Sequence, residues 1–96
     1  MKMHNPPHPG EFIREIYLDP YDISIRKVAS SLGVSPSTLN RILNEKSSIS
    51  PEMALRLSKT LGRSAESWLA MQYNYDLAQA RKKVDLRKVK KLELAG

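Results

Sequence analysis

Apolar residues recur three and four positions apart in two short segments near the middle of the chain: Val28, Ala29 and Leu32, then Leu39, Ile42 and Leu43. This spacing is typical of helices that bury one face. Ser24 precedes the first segment as a cap, and Gly33 follows that segment. Ser35-Pro36 opens the second segment, as a cap and a first helical residue. The pattern predicts helices over 25–32 and 36–44, joined by a tight turn in a helix-turn-helix.

The same reasoning predicts three further helices. One begins at Pro9 or Gly10 and ends at Leu18, because Asp19-Pro20 cannot continue it. Another follows the capping Ser50 and stops before Gly62, and the last follows Ser64. With no hairpin signal, we expect an all-α domain of five helices over residues 9–80, an extended N-terminal arm over 1–8 and a short C-terminal tail over 81–96.

The second helix of the helix-turn-helix presents a polar outer face, with Ser37, Thr38, Arg41, Asn44 and Glu45. Short side chains near a helix N-terminus let the backbone approach a DNA major groove, where hydroxyl, amide and guanidinium groups meet base edges. The alternative is a polar face that contacts only water. Spacing alone does not decide between the two.

Charge is distributed unevenly along the 96 residues, whose length suits one domain with a modest core. The net charge is +6. Residues 1–80 carry nine Lys and Arg against eight Asp and Glu, whereas residues 81–96 carry seven against two. Total charge therefore does not establish nucleic-acid binding by the domain. The local argument comes from the cations around the helix-turn-helix, Arg26, Lys27, Arg41 and Lys46.

Several classes of function find no support in the composition. There are no cysteines, which excludes disulfides and thiolate metal sites. The histidines, His4 and His8, lie in the proline-rich arm, away from any nucleophile motif, so we expect no enzyme, no metal and no cofactor. No apolar run is long enough for a membrane span and no signal peptide is visible, so we expect a cytoplasmic protein without a membrane partner.

An ordered series of motifs over about residues 8–80 resembles the HigA antitoxins, which belong to the λ-repressor-like (XRE) helix-turn-helix proteins. The motifs are His8-Pro9-Gly10-Glu11, Ile23-Ser24, Leu32-Gly33-Val34-Ser35-Pro36-Ser37, Asn40-Arg41-Ile42, the run from Ile49 to Leu57, Trp68-Leu69 and Tyr75-Asp76-Leu77. The resemblance implies a five-helix λ-repressor-like DNA-binding domain. It also implies a homodimer that binds a palindromic operator, represses its own operon and neutralises a HigB-like mRNA endonuclease toxin.

Carried over position by position, the resemblance places base and phosphate contacts at Ser37, Thr38 and Arg41, with backbone contacts at Asn40, Asn44 and Lys46. Arg26, Lys27 and Ser35 complete the expected DNA-binding set. Ile25 stands where many family members have Gln, and Thr38 where a longer basic residue is common, which predicts a different operator sequence. The alternatives are a helix-turn-helix regulator without a toxin partner and an interaction adaptor that does not bind DNA.

Two regions of the sequence each allow more than one interpretation. The fifth helix is the candidate dimer interface through Trp68, Met71 and Tyr75, although a lone Trp at helical spacing usually packs in the core. The C-terminal tail alternates like a strand at Val84-Asp85-Leu86 and Leu92-Glu93-Leu94, whereas Val89 and Leu92 fit a helix as well. We expect it to pack on a partner such as a sister subunit, the alternative being a solvated basic tail.

Overall fold

The computed structural model describes residues 5–94 and forms five helices. Among these residues there is no strand, and no helix is both long and apolar enough to cross a membrane. Helix α1 is α-helical over Pro9–Ile13 and continues as a π-helical turn over Arg14–Leu18. The others are α2 (Ile25–Leu32), α3 (Pro36–Leu43), α4 (Pro51–Leu61) and α5 (Ala65–Lys83). The first four residues, His4 among them, and the last two lie outside the described part.

Four helices begin at a serine whose side-chain oxygen accepts a hydrogen bond from the backbone N–H three residues later. The distances are 3.1 Å for Ser24, Ser35 and Ser50 and 3.0 Å for Ser64. Each bond satisfies an N–H that has no partner within the helix. The caps predicted from the sequence are confirmed, and they fix the starts of α2, α3, α4 and α5.

The turn between α2 and α3 follows the predicted geometry. Gly33 has a φ of 75°, in the left-handed region that a side chain disfavours. Val34 is half-buried and packs against the core between the two helices. The turn therefore holds α3 at a fixed angle to α2, as a helix-turn-helix requires.

The core is built from one apolar face of every helix. Ile13, Leu39, Leu57 and Trp68 are fully buried, and α1 to α4 supply most of the other buried side chains. The stripes predicted for α2 and α3 are both buried. Burial of this kind contributes roughly 1.5–3 kcal/mol for each large aliphatic side chain, which is what holds such short helices together.

Helix α1 crosses α3 at close range through Gly10. A Cβ atom at this position would lie 2.0 Å from the carbonyl oxygen of Ile42 and 2.9 Å from the Cα of Leu43. No residue with a side chain fits that space. Gly10 therefore lets α1 support the helix that carries the candidate DNA-contacting residues.

The boundaries of the domain differ from the expectation at both ends. His8, assigned from the sequence to the extended arm, is buried and caps α1, its Nδ1 accepting from the N–H of Gly10 at 2.9 Å. Helix α5 continues to Lys83, three residues beyond the expected boundary, and residues 84–94 form neither helix nor strand. The first difference arises because an imidazole can act as a helix cap, a role that sequence reasoning assigned only to serines.

Candidate nucleic-acid interface

Helix α3 is buried on one side and exposed on the other. Leu39, Ile42 and Leu43 point into the core. Ser37, Asn40 and Arg41 are exposed, and so is Asn44 directly after the helix. The polar face anticipated from the sequence is therefore available to a partner along its whole length. Its short N-terminal side chains would allow the backbone to approach a duplex.

Thr38 is half-buried, and its polar group is already engaged. Its hydroxyl lies 2.9 Å from that of Ser35, and its N–H donates to the Ser35 oxygen at 3.1 Å. Both hydroxyls thus belong to the cap at the start of α3. Thr38 also has a methyl group, which can contact the methyl of thymine.

Three exposed cations lie in the segments directly before and after the helix-turn-helix turn and α3. Arg26 and Lys27 are exposed in the first turn of α2, and Lys46 is exposed in the loop after α3. That loop begins with Glu45 at a φ of 61°, after which the N–H groups of Lys46 and Ser47 donate to the carbonyl of Arg41 at 2.8 and 3.2 Å. Cations placed around a groove-entering helix suit contacts with phosphates.

Gln72 of α5 anchors the same loop, and sequence reasoning missed it. Its Oε1 accepts from the N–H of Ile49 at 2.9 Å, and its Nε2 donates to Asp76 at 3.0 Å. The side chain is buried, so the loop N–H would otherwise lack a partner. No sequence signal identifies this contact, because the residues it joins are 23 positions apart.

Arg56 of α4 is a second residue that sequence reasoning missed. Its Nη1 donates to the carbonyl of Leu32 at 2.8 Å and to that of Gly33 at 3.3 Å, at the turn of the helix-turn-helix. Glu52 holds the guanidinium in place at 2.9 Å. The Glu-Arg pair four residues apart is visible in the sequence, but it predicts only a surface ion pair.

His8 links the start of α1 to the loop after α3 and to α5. Its ring packs edge-to-face on Tyr75, with centroids 4.9 Å apart, and the Tyr75 hydroxyl lies 3.5 Å from Glu45. Burial lowers the pKa of His8, against the opposing influence of Glu45, the Ser47 backbone and Asp76. The folded protein therefore favours a neutral imidazole, which the cap to Gly10 requires because a protonated Nδ1 cannot accept.

Trp68 is not part of an accessible interface. It is fully buried, its indole N–H donates to the carbonyl of Gly62 at 2.8 Å, and Phe12 packs edge-to-face against it at 5.8 Å. The expectation of a dimer contact through Trp68 is wrong, and core packing is the correct interpretation. Met71 and Tyr75 are half-buried and stay candidates.

The exposed side of α5 carries apolar residues that sequence reasoning did not single out. Tyr73 and Leu77 are 65% and 49% exposed and lie four residues apart. Trp68 and Gln72 of the same helix point inward. Because apolar and polar residues are mixed around the whole circumference of α5, periodicity could not distinguish its buried side from its exposed one.

The sequence and the fold of this chain are both similar to those of known helix-turn-helix proteins. The helix-turn-helix family HTH_3 matches residues 13–68. The uncharacterized HTH-type transcriptional regulator YddM of Escherichia coli (strain K12) is 41% identical over 92 residues, covering 96% of this chain and 97% of YddM.

Two solved structures are similar along most of the chain. Antitoxin GraA in complex with its operator has a TM-score of 0.85 and 35% identity, covering 98% of both chains. Antitoxin HigA of Pseudomonas aeruginosa with the higBA promoter has a TM-score of 0.76 and 41% identity, covering 81% of this chain and 85% of that one. These neighbours have a DNA-binding fold, and the family is one of regulators and antitoxins rather than of enzymes. The chain therefore belongs to the XRE-like helix-turn-helix family HTH_3, with HigA- and GraA-type antitoxins as its structural neighbours.

Proposed function

We propose that the protein is an operator-binding antitoxin that represses its own operon as a homodimer. The observation that carries the proposal is the exposed polar face of α3, with Ser37, Asn40 and Arg41 on one side of a helix fixed by its buried underside. Arg41 reads a base edge, and Thr38 contributes its methyl. Arg26, Lys27 and Lys46 hold phosphates, and this part of the affinity depends on salt but not on sequence.

A single recognition helix reads too few base pairs to be selective. A two-fold dimer with its α3 helices about 34 Å apart doubles the contacts and matches a palindrome. We place the dimer interface on the exposed side of α5, around Tyr73 and Leu77, with Met71 and Tyr75 at its margin. Exposed apolar side chains on a long helix suit a second copy of the same helix.

The antitoxin part of the proposal concerns a HigB-like mRNA endonuclease as partner. It is supported by the similarity to antitoxins GraA and HigA, the latter bound to the higBA promoter. A regulator without a toxin is the second candidate, supported by the similarity to YddM. Co-expression with the neighbouring reading frame separates them: co-purification and rescue of growth support the antitoxin, and neither occurs for a plain regulator.

Operator binding is tested by a mobility-shift titration with the DNA upstream of the gene. Arg41→Ala is expected to weaken operator binding by about 1–3 kcal/mol, roughly 5- to 150-fold in Kd, since an Arg–guanine pair is worth that much. Lys59→Ala, at an exposed position of α4, is the control and keeps the wild-type affinity. Unchanged operator affinity for Arg41→Ala contradicts the assigned role, and no salt-sensitive duplex binding at all favours the adaptor.

A further inference from the structure

Beyond α5, residues 84–94 form an extended strip whose side chains are all exposed. The strip contains no helix or strand, only a turn in which the N–H of Val89 donates to the carbonyl of Leu86 at 3.0 Å. Four cations lie in it against two carboxylates: Arg87, Lys88, Lys90 and Lys91 against Asp85 and Glu93. The excess of cations in the strip attracts a polyanion.

The cations of the strip are not neutralised by the rest of the described chain. Asp85 is engaged by Arg87 at 2.9 Å, and these hydrogen bonds lower the pKa of the Asp85 carboxyl. In residues 5–94, no carboxylate lies within ion-pair distance of Lys88, Lys90 or Lys91. Three ammonium groups are thus left for an external partner.

The strip leaves the domain beside the candidate DNA interface. Lys83, the last residue of α5, lines a cleft of about 300 Å³ together with Lys46, Ser47 and Ser48 of the loop after α3. Glu45 and Asp76 share this cleft and offset the charge of Lys83. The strip therefore starts next to the loop that carries the expected phosphate contact of Lys46, and Lys88, Lys90 and Lys91 lie further along it.

We infer that the extended strip is a second, sequence-independent contact with double-stranded DNA, in which Lys88, Lys90 and Lys91 hold phosphates beside the groove that α3 enters. The inference rests on the proposed operator binding. The strip turns once at Leu86–Val89, and opening that turn would let its eleven residues span up to roughly 36–40 Å, about one helical turn of DNA. The strip can therefore follow the backbone away from the bases that α3 reads. It adds affinity without adding sequence discrimination.

The strip also carries apolar side chains, at Val84, Leu86, Val89, Leu92 and Leu94, and these would suit a second copy of the chain instead. Charge favours DNA, because two facing strips would bring like charges together. The two occupants differ in which side chains they need: ammonium groups for DNA and aliphatic groups for a second copy. Separate variants can therefore distinguish them.

The test compares full-length Lys88→Gln/Lys90→Gln with Lys59→Glu, a control at an exposed position of α4 that lowers the net charge by the same two units. Affinity for the operator and for an unrelated duplex of equal length is measured from low to high salt. The slope of log K against log salt is expected to fall by up to about 1.8 in the double variant, about 0.9 for each phosphate that is no longer neutralised. Both duplexes should weaken by the same factor, and Lys59→Glu should keep the wild-type slope.

An unchanged slope in the double variant, or an equal fall in the control, overturns the inference. A second variant, Leu86→Ser/Leu92→Ser, is tested for dimerisation by sedimentation. If it is monomeric while the lysine variant binds DNA as the wild type does, the strip contacts a second copy and the inference is overturned. Failure of the proposed function looks different: the wild-type protein itself would not prefer the operator over the unrelated duplex.

Discussion

Replacing Gly10 with alanine sets two physical effects against each other. Helix propensity alone favours alanine by about 1 kcal/mol, because glycine loses more backbone freedom on folding. The structure opposes this gain. The added Cβ would lie 2.0 Å from the Ile42 carbonyl oxygen, about 1.4 Å short of ordinary contact, which starts near 3.4 Å. The obstructing atoms are backbone, so no side-chain rotation relieves the clash.

Helix α1 must therefore move away from α3, which loosens the packing of Ile13 beneath it. Overpacking of this kind costs about 1–3 kcal/mol and occasionally more, and an unyielding backbone places Gly10→Ala at the upper end. After the propensity gain is subtracted, we expect a net loss of about 2 kcal/mol or more. With a urea m-value of about 1–2 kcal/mol/M, the unfolding midpoint should fall by roughly 1–2 M.

The measurement is urea unfolding followed by circular dichroism and by the fluorescence of the buried Trp68. The control is Gly62→Ala, where the added Cβ has open space but the φ of 97° is unfavourable. Its loss should be smaller than that of Gly10→Ala. A Gly10→Ala protein as stable as the wild type, or more stable, would refute the close approach of α1 and α3 and leave propensity as the dominant effect.

Three other predictions concern the core, the buried histidine and the turn. Leu39→Ala removes a fully buried side chain beneath α3 and should cost about 2–5 kcal/mol in denaturant unfolding; a loss below about 0.5 kcal/mol would place it on the surface. Because the folded state lowers the pKa of His8, its contribution to stability is complete above about pH 6.5 and declines as pH falls below that value, levelling off beneath the folded pKa. Wild type should therefore lose more stability between pH 7.5 and 5.5 than His8→Asn, which keeps a non-titrating cap; equal losses would contradict this. Arg56→Met leaves the part-buried carbonyl of Leu32 without its donor and should lower stability by about 1–3 kcal/mol, whereas Lys59→Met on the same helix should change it by less than about 0.5 kcal/mol.

The candidate site could be predicted from the sequence only in part. The exposed positions of Ser37, Asn40 and Arg41 follow from the helical period, because burying Leu39, Ile42 and Leu43 turns them outward. The engagement of Thr38 with the cap at Ser35 was within reach of the same local reasoning but was missed. The supports at Gln72 and Arg56 could not be predicted, because their partners lie more than 20 residues away along the chain.

Local signals determined most of the secondary structure of this protein. These signals are the serine caps, the prolines at first helical positions and Gly33 at the turn, and each acts over three or four residues. They can therefore be recognised in the sequence without knowledge of tertiary contacts. Tertiary structure decided what depends on the relative placement of helices: the burial of His8 and Trp68, the close approach at Gly10 and the outward direction of Tyr73. Helix α5 shows the reason, since a helix with apolar and polar residues on every side acquires an inner and an outer side only when its neighbours pack against it.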